Sequence, residues 1–248
     1  MAIESHTLRT DAVARHRGPN PGWVAVVFTV LFLASLLPVT LLFSETHFPA
    51  PYQSPEEIVA YFRSESAKVR LCAFLQFGSS IPLGIFTATM VSRLRFQRAS
   101  AAGVTIALFG GLGTSFFMGL SALVQWTIAQ PGIAVNADLT RALYYLLFAT
   151  GGVGYSVPIG LLFAGISVTA GFMRLLPRWL VVFGVLLGLV GELSSLSLVI
   201  PGALFLIPLT RFPGFVWLIA AGFSLPNSRE GKIDPARRDE VPESWPST

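Results

Sequence analysis

Residues 23–43 carry no charge. About 20 mostly apolar residues are what an α-helix needs to cross the hydrocarbon core of a bilayer. Inside that core every backbone N–H and C=O must be satisfied within the segment, which leaves a helix as the simplest solution. The feature recurs along the chain. Apolar runs of span length follow at residues 71–91, 101–128, 139–172 and 179–200, and a sixth closes near Leu225. Of 248 residues, 53% are hydrophobic and only 12% are charged, with a mean hydropathy of +0.66. Soluble domains carry about 25% charged residues, so this chain has too little polar surface to cover a globule in water. The expected fold is all-α, a polytopic integral membrane bundle of six transmembrane helices.

Each run has its own punctuation. The second stops at the basic "SRLRFQR", and the third ends at Gln125 and Trp126. The fourth is too long for one straight span. Gly151, Gly152 and Gly154 weaken it and Pro158 removes a hydrogen bond, so one kinked span is expected. The fifth ends at Pro201-Gly202. Arg211 and Pro213 interrupt the sixth, which places it at residues 212–225 with 203–210 as a lead-in segment.

The resulting organisation is a polar tail (residues 1–22), a six-helix transmembrane domain (23–225) with one sizeable outer loop (44–70), and a second tail (226–248). That last tail is polar, charged and proline-rich, which predicts disorder. In the outer loop, "SPEE" reads as a helix start: Ser54 caps, Pro55 takes the first helical position and Glu57 closes a capping box. The short helix that follows is expected to connect to the second span.

Orientation follows from the distribution of Lys and Arg. With six spans, 12 of the 17 lie on the side of the two tails and 5 on the other. The split predicts both termini in the cytoplasm. Trp23 and Trp179 fall at inner ends and Trp126 at an outer end, as interfacial anchors do, whereas Trp217 falls within a span.

Several function classes are disfavoured. The net charge of +4 is scattered between apolar runs and forms no nucleic-acid patch. One cysteine, Cys72, permits no intrachain disulfide or cysteine-based zinc site, and the three histidines have no metal-ligand spacing. There is no G-x-S-x-G elbow, H-E-x-x-H run or phosphate loop. "GVTIALFGGLG" is no dinucleotide loop, since no strand precedes it. Its Gly103, Ala107 and Gly111 instead have the spacing of small residues at a helix crossing.

The chemistry-bearing candidates are few. Glu192 is the one acid inside a predicted span. Thirteen residues beyond Trp179, at 1.5 Å each, it stands about 20 Å up a core about 30 Å thick. An ionised carboxylate there costs at least roughly 2.5–3.5 kcal/mol. Gly184, Gly188, Glu192 and Ser195 follow at four-, four- and three-residue steps, so Glu192 is expected to face the bundle, with Arg141 or Arg211 as its partner. Two roles stand open: a clip between helices, which the absence of a second acid favours, and a proton, cation or ligand site. Gln76 and Gln125 can bridge helices by hydrogen bonds. Tyr144, Tyr145 and Tyr155 can line a pocket, although aromatic packing is their commoner use.

Around "LLPRWLVVFGVLLGLVGELSSL" the chain resembles a bacterial family of small six-helix membrane proteins known as a domain of unknown function. The resemblance rests on "SPEEIVAYF", the glycine-rich third span, "SVPIGLLFAGISV" and "LPRWL", and covers residues 23–225. It implies a fold and a location in a bacterial inner membrane, and brings no activity or site residues. The expectation is a non-enzymatic membrane protein that binds a lipid, quinone or other apolar molecule, or a partner membrane subunit, within its bundle. A proton- or ion-coupled transporter using Glu192 and an intramembrane enzyme are the alternatives. No cofactor is indicated by the sequence.

Overall fold

The computed structural model describes residues 14–40, 48–49 and 53–229. They form an all-α bundle in which six helical segments are long and apolar enough to cross a membrane: Pro21–Val39, Ser66–Phe96, Ala102–Ile128, Ala137–Phe172, Arg178–Leu198 and Pro201–Ser224. The α-helices are α1 (Pro21–Leu36), α2 (Pro55–Ser64), α3 (Ser66–Phe96), α4 (Ala102–Ile128), α5 (Ala137–Gly151), α6 (Val153–Phe172), α7 (Arg178–Leu193) and α8 (Leu206–Ser224). Neighbours in the chain pack on one another, and α8 returns to both α7 and α1, which closes the bundle. We call the end where α1 begins and α8 finishes the tail end, and the opposite end, which carries α2, the cap end.

Helix starts follow their local chemistry. Asn20 accepts from the Gly22 N–H at 2.9 Å, with Pro21 at the first helical position of α1. Ser54 accepts from the Glu57 N–H at 3.2 Å and opens α2 where "SPEE" predicted. Asn136 accepts from the Leu139 N–H at 3.0 Å and opens α5. In the turn before it, Gly132 takes φ +88°, a left-handed conformation that glycine adopts without strain.

In lipid, no hydrophobic gain draws helices together, so contact depends on how closely their backbones approach. Glycines set that distance here. A methyl group at Gly165 of α6 would lie 2.6 Å from the Gly103 carbonyl oxygen and 2.8 Å from the Ala107 nitrogen of α4. One at Gly160 would lie 2.9 Å from the Gly188 carbonyl oxygen and 3.2 Å from Cα of Gly191 in α7. At the tail end, one at Gly222 of α8 would lie 2.6 Å from the Gly22 nitrogen of α1. Trp217, the span tryptophan that fitted no interface, is fully buried. Its indole N–H donates to the Leu180 carbonyl at 2.9 Å and its ring meets Phe163 at 5.0 Å. Trp23, Trp126 and Trp179 are exposed, as expected of anchors.

A second apolar core forms the cap. Ile58, Tyr61 and Phe62 of α2 pack against Ile128, Ala134 and Tyr144. Phe48 lies in the same aromatic group, 5.5 Å from Tyr61 and 6.3 Å from Tyr144. Arg63 ties α2 to the α4–α5 connection by donating from Nε to the Ala134 carbonyl at 2.7 Å.

Two sequence expectations change and one is sharpened. The fourth run forms one kinked span, as expected, with its break at Gly152 in the glycine run and not at Pro158, through which α6 runs on. A residue without a side chain gives up the helical conformation there more readily than the packed Pro158 does. The sixth span does not begin at residue 212, because α8 runs from Leu206 through Arg211 and Pro213. In the tails, Ala14–Arg15 and Ser228–Arg229 pair as a two-residue antiparallel bridge, so the start of the second tail is ordered. The rest of that tail, and residues 41–47 of the first run and loop, lie outside the described residues.

Candidate functional site

At the cap end, the spans line a partly open cavity of about 310 Å³. Phe32 and Leu36 line it from α1, Cys72 and Gln76 from α3, and Met118, Ser121 and Gln125 from α4. The α5–α6 break contributes Phe148, Gly151, Gly152 and Tyr155, and α8 contributes Ile207 and Arg211. The walls are mainly apolar and aromatic, with a few polar groups, as in small-molecule sites generally. A larger hollow of about 790 Å³ lies along α6, α7 and their turn, lined by Val168, Phe172 and Val182 among others. These three side chains are exposed, so that hollow is a groove on the flank of the bundle.

Each polar group in the inner cavity is placed by its helix. Thirteen residues before the end of α8, Arg211 stands about 20 Å from the tail end. A charge at such depth costs about 2.5–3.5 kcal/mol on insertion scales. Two features offset the cost. The α5–α6 break leaves carbonyls without a regular helical partner, and Arg211 donates to one of them, that of Gly151. The guanidinium also lies 4.3 Å from the Tyr155 ring centroid and 5.3 Å from that of Phe32. A desolvated cation–aromatic contact contributes about 2 kcal/mol. Even so, Nε of Arg211 is buried without a hydrogen bond. The Tyr155 hydroxyl lies within hydrogen-bonding reach of the guanidinium and is buried without a bond of good geometry.

Gln125 is almost fully buried, and the Cys72 thiol lies within hydrogen-bonding reach of it and of Ser35. Ser121 donates to the Leu147 carbonyl at 3.1 Å, which fastens α4 to α5 beside the break. Tyr144 sits in the cap, where its hydroxyl donates to the Pro49 carbonyl at 2.5 Å.

The structure therefore brings together three of the six polar candidates, Arg211, Gln76 and Gln125. The other three lie elsewhere. Arg141 is exposed at the start of α5, 5.7 Å from the ring of its neighbour Tyr145. Glu192 is exposed at the last turn of α7, and Ser195 is exposed beyond it, donating to the Glu192 carbonyl at 2.6 Å. Glu192 forms no ion pair with Arg141 or Arg211; among the described residues, the ion pair present is Lys68–Glu65 at 2.8 Å. The expectation that Glu192 faces the bundle is thus corrected. Gly184 and Gly188 do face α6 and α8, but the buried stripe continues through Gly191. Eight residues turn a helix about 80° beyond two full turns, which carries Glu192 off that face, whereas seven leave Gly191 in line.

Sequence reading missed Phe32, Cys72, Ser121 and Phe148 as cavity residues. Only the Gly151-Gly152 pair, with Tyr155 just after it, marked the place where the wall opens.

A scan against protein-family models finds no match to this chain, and searches of curated proteins and of solved structures find none either.

Proposed function

We propose that this is an integral membrane protein that binds an apolar small molecule in the cavity beneath its cap, and that its role is binding and not catalysis. One observation carries the reading: a partly open cavity of about 310 Å³ between five of the six spans, walled by aromatic and aliphatic side chains with a small polar group at one side. Sites of this composition and of about 300–1,000 Å³ are the usual form of small-molecule sites. A lipid-derived chain or a quinone-like ring fits such walls. The interior position favours a small molecule over a partner subunit. Transport through Glu192 loses its support, since that carboxylate is exposed on α7 away from the cavity.

The proposal extends to location. A bacterial inner membrane with both tails in the cytoplasm accords with the 12-to-5 distribution of Lys and Arg. Pairing of Ala14–Arg15 with Ser228–Arg229 supports a common side for the two tails. Membership of the six-helix family of unknown function, resembled in sequence, belongs to the same proposal.

The test is calorimetric titration of 1-decanol into the protein held in lipid nanodiscs. Saturable one-to-one binding by the wild type, lost in Leu36→Trp, whose indole would occupy the cavity, is the expected result. No saturable binding by the wild type, or equal binding by the variant, refutes the reading.

A further inference from the structure

We infer that the ligand of this cavity is a single-chain amphiphile with an anionic head, and that Arg211 and Tyr155 receive the head. The inference rests on the cavity-binding reading above and adds the charge and shape of the ligand.

The charge follows from what Arg211 has and lacks. Its guanidinium donates to the Gly151 carbonyl, lies within hydrogen-bonding reach of the Tyr155 hydroxyl, and stacks on the rings of Tyr155 and Phe32. These partners are neutral, and none of the contacts removes the positive charge. Nε of Arg211 and the Tyr155 hydroxyl are buried without a well-formed hydrogen bond, while the Arg211 side chain as a whole is only partly buried and lines the cavity beside Tyr155. Buried donors of this kind are satisfied in the great majority of cases. An anion is the acceptor that suits a guanidinium best, because both partners are then charged.

No carboxylate of the chain fills that place among the described residues. Glu65 pairs with Lys68, Glu192 is exposed on α7, and Glu56, Glu57 and Asp138 are exposed at the cap end. None of them lines the cavity. Arg93 provides the contrast. It too has a buried Nε without a partner, but it lines none of the hollows described here and donates to the Leu225 carbonyl at the tail end.

The shape follows from the remaining walls. Opposite the polar group stand Phe32, Leu36, Met118, Leu147, Phe148 and Ile207, which offer an acyl chain contact and a bare inorganic anion nothing. A space of about 310 Å³ suits one medium-length chain better than a two-chain lipid.

The experiment compares decanoate, 1-decanol and acetate as ligands of the nanodisc-held protein at about pH 8, where a carboxylate is ionised. The wild type is expected to bind decanoate about tenfold or more tighter than decanol, as for a desolvated charge pair, and acetate far more weakly than decanoate. Arg211→Met and Arg211→Gln are expected to abolish the preference for decanoate over decanol. Tyr155→Phe, which keeps the ring under the guanidinium, is expected to weaken decanoate alone and provides the test if the Arg211 variants do not fold. Equal binding of decanoate and decanol by the wild type overturns the inference and leaves the cavity reading standing. So does a preference that survives both Arg211 variants or, where these do not fold, Tyr155→Phe. Acetate binding as tight as decanoate overturns the amphiphile. Failure of decanol and decanoate alike overturns the cavity reading, and this inference with it.

Discussion

Replacing Gly165 by Ala adds one methyl group at the crossing of α4 and α6. The added carbon would sit 2.6 Å from the Gly103 carbonyl oxygen, and ordinary contact begins near 3.4 Å, so the helices must part by about 0.8 Å. A gap of about 0.5–1 Å forfeits a quarter to a half of the attraction between facing atoms. In lipid that attraction is much of what holds two helices together. Overpacking of this kind costs about 1–3 kcal/mol, against which Ala regains roughly 0.5–1 kcal/mol over Gly inside a helix. The net expectation is a loss of up to about 2.5 kcal/mol. Gly78 in α3 supplies the control: a methyl group there meets nothing within 4 Å, so Gly78→Ala should be neutral or stabilising. The assay is reversible unfolding of both variants in mixed micelles titrated with sodium dodecyl sulfate, followed by circular dichroism. Equal stability of Gly165→Ala and Gly78→Ala would refute the claim that glycine contact sets the spacing of this bundle.

Burial, with the Cys72 and Glu65 charges adding to it, holds the Tyr61 hydroxyl above its ordinary value of 10.0. Its contribution to stability is therefore full below about pH 10 and is lost as pH rises through the folded value. Tyr61→Phe should flatten that alkaline loss in a thermal-melt pH series. Because the hydroxyl is buried without a hydrogen bond, the same change should be neutral or stabilising near pH 7. Tyr144→Phe removes the donor to the Pro49 carbonyl and should cost about 1–3 kcal/mol, read as faster hydrogen exchange in α2 and the start of α5. Trp217→Phe leaves the Leu180 carbonyl without the indole N–H. A comparable loss of unfolding free energy is expected, with Trp217→Tyr no better, since its hydroxyl lies elsewhere on the ring.

Much of the fold was readable because a bilayer demands it. Runs of apolar residues at 71–91, 101–128, 139–172 and 179–200 each became a span, the run from residue 23 did so as far as Val39, and "SPEE" became the start of α2. The limits have physical causes. Arg211 reads as a span boundary because a charge in lipid is costly, and only the tertiary structure supplies the Gly151 carbonyl and the two aromatic rings that make it tolerable. Glu192 reads as part of a glycine face because residues four apart are helical neighbours, yet two such steps rotate it about 80° away. The ends of α3 and α6 carry no glycine signal: Arg98 and Arg174 take φ of 67° and 54° there, positions glycine more often fills. The cavity itself belongs to no single segment. It forms where α5 breaks from α6 and α1, α3, α4 and α8 come round it, so its residues are scattered from Phe32 to Arg211 without a shared motif.

Native mass spectrometry of the protein released from its own membrane, with no ligand added, addresses the central claim most directly. The account predicts one non-covalent adduct per chain, with the mass of a single-chain acidic amphiphile, present on the wild type and absent from Leu36→Trp. The bare mass of the chain alone, or an adduct retained in full by Leu36→Trp, would contradict it.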